Sequence, residues 1–166
     1  MNIVTTSLFR KYRTAQDFAS ANRTELEKDV YSTGFYRAKA NNIIRCCKVL
    51  VEQHHGEVPQ TMEELIQLSG VGRKTANVVL GYAFGKAEGI VVDTHVKRVS
   101  QRLGLTSQTN PEKVELDLMK AVPKQEWINI DNLFVWHGRN VCIARKPKCT
   151  ECPLNDLCPS AGEFIK

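Results

Sequence analysis

Four cysteines near the end of the chain constrain it most. Cys142, Cys149, Cys152 and Cys158 follow the pattern C-x6-C-x2-C-x5-C. Thiolates crowded this closely are ligands for a soft metal centre. The spacing alone leaves structural zinc and an iron–sulfur cluster equally open, because both take four cysteines. Pro147, Pro153 and Pro159 stiffen the loops between them. The other two cysteines, Cys46 and Cys47, are adjacent on a predicted helix. Neighbouring helical positions do not reach one tetrahedral site easily, so Cys47 reads as a small core residue with Cys46 beside it. Cysteines clustered in this way, rather than scattered as a disulfide framework, imply an intracellular protein with a metal site.

A chain of 166 residues, 42% of them hydrophobic, suffices for one compact domain or two small lobes. The net charge of +5 favours a polyanionic partner. No apolar run approaches the length of a membrane span, and no secretory signal opens the sequence. The expectation is an intracellular protein with no membrane partner.

The stretch from Leu68 to Val99 carries the candidate chemistry. Gly70-Val71-Gly72 is a tight hairpin that allows positive φ and close backbone approach. A helix expected from Arg73 turns its unpaired N–H groups toward that hairpin, a ready phosphate site. Lys74 sits in its first turn. Ala76, Val79, Leu80, Ala83 and Phe84 repeat with helical spacing, so one face is buried, and Gly85 is the stop. Asp93 is a lone carboxylate after an apolar run. Each feature has a plainer explanation: a simple turn, a solvated lysine, and an N-cap for a helix at Thr94–Arg102.

Elsewhere the pattern is helical and no strand pattern survives. The segment from Asn2 to Tyr12 starts without a cap. Thr24-Glu25-Leu26-Glu27 reads as a capping box for a helix reaching about Ser32, and Gly34 breaks it. Tyr36–His55 is a long helix burying Ile43, Ile44, Cys47, Leu50 and Val51. A second capping box, Thr61 to Glu64, opens a helix to Leu68. Thr94–Leu103 ends at Gly104, Asn110-Pro111 opens a helix to about Val122, and Pro123 starts another. In that last helix Trp127, Ile130, Leu133, Phe134 and Trp136 are expected to supply core contacts. The fold class is all-α.

LSGVGRKTANVVL and VDTHVKRV resemble, almost letter for letter, the helix-hairpin-helix and VDTH signature of the endonuclease III family of DNA glycosylases. The resemblance covers nearly the whole chain. Ser69 departs from it, since the family commonly has proline there, and this is expected to loosen the hairpin slightly. The resemblance implies a helix-hairpin-helix glycosylase fold, with a helical barrel lobe over 1–87 and a cluster lobe over 88–166. It selects a [4Fe–4S] cluster for Cys142, Cys149, Cys152 and Cys158. It implies a cleft holding Lys74 and Asp93, and a bifunctional reaction on damaged double-stranded DNA: excision of an oxidised pyrimidine, then strand cleavage. In that reaction Lys74 forms a Schiff base with the sugar, and Asp93 stabilises the cationic sugar and shuttles the proton. His95 is a structural hydrogen-bonder. DNA contacts fall to Gly70, Val71, Gly72 and Arg73, to the basic loop of Arg145, Lys146 and Lys148, and to Phe35 as a wedge into the duplex. A buried helix-start aromatic is the plainer reading of Phe35. The family form is a monomer of the cytoplasm, associated with the nucleoid. Family members carry further residues upstream, including a cluster-lobe helix and a barrel helix with a SAQ-x-x-D motif, so an N-terminally truncated chain of reduced stability and excision is expected. Two other readings are a non-catalytic iron–sulfur DNA-binding module and a monofunctional mismatch glycosylase. Lys74 and Asp93 argue against the first, and Lys74 against the second, which activates water without a lysine.

Overall fold

The computed structural model describes residues 3–164, and all regular structure among them is helical. The helix start expected at Asn2 lies outside the described residues. The chain divides into two compact units, Met1–Ala76 and Asn77–Lys166. Among the described residues no helix is long and apolar enough to cross a membrane.

In the first unit α1 (Ile3–Lys11), α2 (Ala15–Ala19) and α3 (Arg23–Asp29) precede the long α4 (Tyr36–His54). Helices α2 and α3 pack along α4. Leu8, Tyr12, Leu26, Val30 and Ala40 are buried together, with Phe18, Ile43 and Ile44 against them. Each such side chain contributes about 1.5–3 kcal/mol on full burial. The caps are local. Thr14 and Asp17 form a reciprocal capping box at the start of α2. The box expected at Thr24 does not form. Asn22 caps α3 instead, accepting the Glu25 N–H, and the helix stops at Asp29 before a 3-10 turn at Tyr31–Thr33. Asparagine is as good a cap as threonine, and a start at Arg23 places Leu26 fully inside.

Thr61 caps α5 (Met62–Leu65), accepting the Glu64 N–H. The helix ends three residues sooner than Leu68. The amides of Gln67 and Leu68 turn tightly onto the carbonyls of Glu64 and Leu65, which brings the chain into the glycine hairpin. Helix α6 (Arg73–Val78) follows and crosses the division between the units.

Beyond α6 the winding loosens to a π turn over Val79–Ala83. The extra residue per turn shifts the register. Asn77, Leu80 and Gly81 are buried, while Ala83, expected on the inner face, is exposed. Gly85, at φ 66°, ends it as expected. The second unit then packs α7 (Thr94–Arg102) against α8 (Pro111–Ala121) and α9 (Ile130–Asn140). Ile90, Val92, Val96, Val114 and Leu118 form its core, with Trp127, Ile130 and Phe134 alongside. Pro123 leads only into a 3-10 turn at Lys124–Glu126, and α9 begins later. Leu133 and Trp136, expected in the core, are 60% and 64% exposed. The inward face of α9 is instead built on Asp131, Phe134 and Gly138.

Candidate functional site

The hairpin is fixed from beneath. Gly70 has φ 81°, and a Cβ there would lie 3.0 Å from Asn42 of α4. Ser69 donates its hydroxyl to Asn42 Oδ1 at 3.2 Å. The serine therefore stitches the hairpin to α4, where a looser turn was expected. Val71 donates its N–H to the Leu68 carbonyl at 3.0 Å, which closes the turn. Arg73 and Lys74 open α6. Lys74 is exposed, and among the described residues its ammonium makes no hydrogen bond or ion pair.

Phe35 stands apart from the expectation of a buried aromatic. It is 88% exposed. It lies in the left-handed region at φ 49°, after Gly34 at φ 69°, at the head of α4. A non-glycine residue held there costs roughly 1–3 kcal/mol and persists only when its surroundings enforce it. Behind it the Tyr31 and Tyr36 rings meet at 4.8 Å, and Arg37 lies over Tyr36.

Asp93 is the N-cap of α7. Its Oδ1 accepts the N–H groups of His95 at 2.7 Å and Val96 at 2.8 Å. Its other oxygen makes no hydrogen bond among the described residues. The carboxylate is half-buried at the N-terminus of α7. Nearby, Tyr82 donates to Asp131 Oδ1 at 2.8 Å. Burial pushes the Asp131 carboxyl up, and the charge of Asp93 adds to that. Burial and Asp131 together push the Tyr82 hydroxyl up to about 12.

The four C-terminal cysteines line one pocket, together with Arg102 and His137. Among the described residues no three His, Cys, Asp or Glu side chains close on a single-ion site. Four thiols lining one pocket suit a multi-iron cluster, which takes a cysteine at each corner. Their chemistry fits the same group. Burial, and then the charges of Cys142, Cys158 and Cys152, push the Cys149 thiol up. Four thiolates so crowded are stable only around cationic metal. The surrounding backbone is only short 3-10 turns at Cys149–Glu151 and Asn155–Leu157. Arg145, Lys146 and Lys148 are exposed on the first loop. Cys46 and Cys47 are on α4 and do not line that pocket, and burial raises Cys47 to about 11.

Several supporting residues carry no signal in the sequence. Arg98 Nη2 donates to the Gly138 carbonyl at 2.7 Å and the Cys142 carbonyl at 3.1 Å, and lies 3.3 Å from His95 Nδ1. His95 is expected as a structural hydrogen-bonder, and its ring meets Arg98 here. Gly138 packs closely there: a Cβ would lie 3.1 Å from Arg98 and 3.2 Å from His95. The i, i+4 spacing of Arg98 and Arg102 marks a shared helix face but not its destination.

Residues 1–124 match the family model of HhH-GPD superfamily base excision DNA repair proteins, and residues 142–158 match the iron–sulfur binding domain of endonuclease III. Endonuclease III of Synechocystis sp. is 55% identical over 161 residues, 97% of this chain and 74% of that one. The chain belongs to the endonuclease III family. The Bacillus subtilis member is 46% identical, over 95% of this chain and 72% of its own. A solved structure of a trapped endonuclease III–DNA covalent intermediate superposes with a TM-score of 0.94 at 46% identity, covering 99% of this chain and 78% of that one. A thermostable thymine-DNA glycosylase superposes at 0.84 with 25% identity, covering 96% and 75%. The protein is a DNA glycosylase of base excision repair, with the helix-hairpin-helix fold and a [4Fe–4S] cofactor. The residues that would hold the cluster are Cys142, Cys149, Cys152 and Cys158.

Proposed function

We propose that this chain is a bifunctional DNA N-glycosylase and AP lyase that removes oxidised pyrimidines from damaged double-stranded DNA. The observation that carries the reading is Lys74, an exposed amine with no hydrogen bond or ion pair among the described residues, in the first turn of α6 directly after the glycine hairpin. The solved relative described as a trapped covalent intermediate with DNA supports it.

A base stacked in a duplex is out of reach, so the target nucleotide is flipped out. Phe35 fills the space it leaves. The Gly70-Val71-Gly72 turn and Arg73 hold a backbone phosphate, and Arg145, Lys146 and Lys148 hold others, which fixes register without reading sequence. The neutral Lys74 amine attacks the sugar C1′, and the base departs with the electron pair of the C1′–N bond. Asp93 stabilises the positive charge that develops on the sugar, then takes the proton from the new C–N bond's nitrogen. Ring opening leaves a Schiff base. Loss of a C2′ proton expels the 3′-phosphate by β-elimination, and water releases Lys74 by hydrolysis. When bound, the cluster supplies iron–thiolate bonds that hold the basic loop. The active form is a monomer.

Borohydride reduction tests the central step. The wild-type protein cross-links to duplex DNA carrying an oxidised pyrimidine, and Lys74→Gln does not. An undiminished adduct in the variant assigns the nucleophile to another amine and ends this reading.

A further inference from the structure

Cys142 is gripped twice from α7. Arg98 takes its carbonyl oxygen. Arg102, one turn later, reaches its sulfur: Nη1 lies 3.3 Å from Cys142 Sγ. The same guanidinium donates from Nη1 to the Ile143 carbonyl at 2.9 Å and from Nη2 to the Ala144 carbonyl at 2.8 Å. The Phe164 ring covers its other side, with its centroid 4.5 Å from the guanidinium carbon. At the last cysteine, Cys158 Sγ lies 3.3 Å from the Arg102 carbonyl oxygen. One residue therefore touches the first and last cysteines of the motif and the start of the basic loop.

We propose that Arg102 is a positioning residue for the iron–sulfur cluster, donating a charge-assisted hydrogen bond to the Cys142 sulfur while it holds the first turn of the basic loop. A planar, permanently charged fork makes several such bonds at once, where an ammonium presents one point charge. A donor on a ligating sulfur withdraws electron density from the iron–thiolate bond, and hydrogen bonds to sulfur are among the levers that set a cluster's potential. Positive charge beside the thiolate favours the more reduced cluster. Phe164 keeps that face of the guanidinium from water, which strengthens the effect. The inference rests on the iron–sulfur site and is independent of the lyase reading, so either can fail alone.

The test uses holoenzyme purified without oxygen: wild type, Arg102→Lys and Arg102→Met. Three quantities are read: the iron–thiolate stretching bands by resonance Raman, the midpoint potential, and the rate at which visible absorbance is lost to a chelator. For Arg102→Met the bands shift, the potential moves to more negative values, and cluster retention weakens by about 10- to 100-fold, the usual cost of losing an outer-sphere partner. Arg102→Lys keeps the charge, so its potential stays nearer wild type, while its retention falls because the fork to the two carbonyls is gone. Should Arg102→Met fail to fold, the split between potential and retention in Arg102→Lys carries the test. Faster loss with unchanged bands and potential would reduce Arg102 to a backbone clamp and overturn the proposal. Wild-type behaviour in all three readouts would overturn it too.

Discussion

The glycine hairpin and the cysteine loop are both short irregular segments that present cations, yet they are held by different physics. The hairpin rests on ordinary packing. Leu65, Leu68 and Ala76 on either side of it are buried, and Asn42 fills the space beneath Gly70. The cysteine loop has no comparable core. Its turns are single 3-10 pieces and Leu157 is 80% exposed. Beyond Arg102, Arg98 and a few backbone hydrogen bonds, its order would come from iron–thiolate bonds to the cluster. One segment is thus specified by side-chain volume and the other by valence, and they should fail under different insults.

The largest effect expected is on the cysteine loop. Cys152→Ser should lose the brown colour and most of the roughly four irons per chain of a [4Fe–4S] site. Hydrogen exchange over residues 142–158 should then rise to unprotected rates, while residues 62–80 keep their protection, and DNA affinity falls with the order of the basic loop. If the iron-free loop stayed protected, or the hairpin melted with it, the contrast between the two segments would be wrong.

Asp93 lies at the end of α7 away from the arginines, so it sharpens the comparison from the other side. Asn caps a helix as well as Asp. Asp93→Asn should therefore hold stability within about 0.5 kcal/mol while turnover drops by about 10²- to 10⁴-fold, the worth of a positioned proton-transfer group. DNA affinity should stay near wild type. Binding that fell in step with turnover would leave Asp93 only its structural role as a cap.

Smaller effects are expected at the hairpin. Gly70→Ala places a Cβ at positive φ and against Asn42, a cost of about 1–3 kcal/mol, readable as a lower denaturation midpoint with iron content unchanged. Smallest of all is Ser69→Ala, which forfeits one hydrogen bond to Asn42, about 0.5–1.5 kcal/mol. A wild-type midpoint for Ser69→Ala would mean that Asn42 supports the hairpin by its volume alone.

Much of this molecule is legible in its residues because the signals are local. Capping at Thr61, Asp93 and Asn110, the proline that opens α8, and the glycines that end the π turn and α7 all depend on neighbours within a turn. The cysteine spacing likewise announces a metal site before any fold is known. Where two caps compete, as Asn22 and Thr24 do, local rules do not choose, and the burial of Leu26 does.

What only the tertiary structure decided lies wherever partners are distant in sequence or the helix departs from ideal winding. The π turn after Val78 moved Ala83 outward and Gly81 inward, a register change that a strict 3.6-residue period does not contain. Leu133 and Trp136 have core-like chemistry but lie on the exposed face of α9, because Asp131 and Gly138 turn inward to meet Tyr82 and Arg98. Phe35 looks like a buried aromatic by type and is exposed by its left-handed backbone. Arg98 and Arg102 read as two cations on a helix, and only folding brings them to a cysteine some forty residues away. The sequence by itself determined an all-helical chain with a glycine hairpin and a metal-bound end, since spacing and caps act within a few residues. Which side chains support those features was left to long-range packing, where volume and hydrogen-bond geometry choose among positions that local chemistry cannot tell apart.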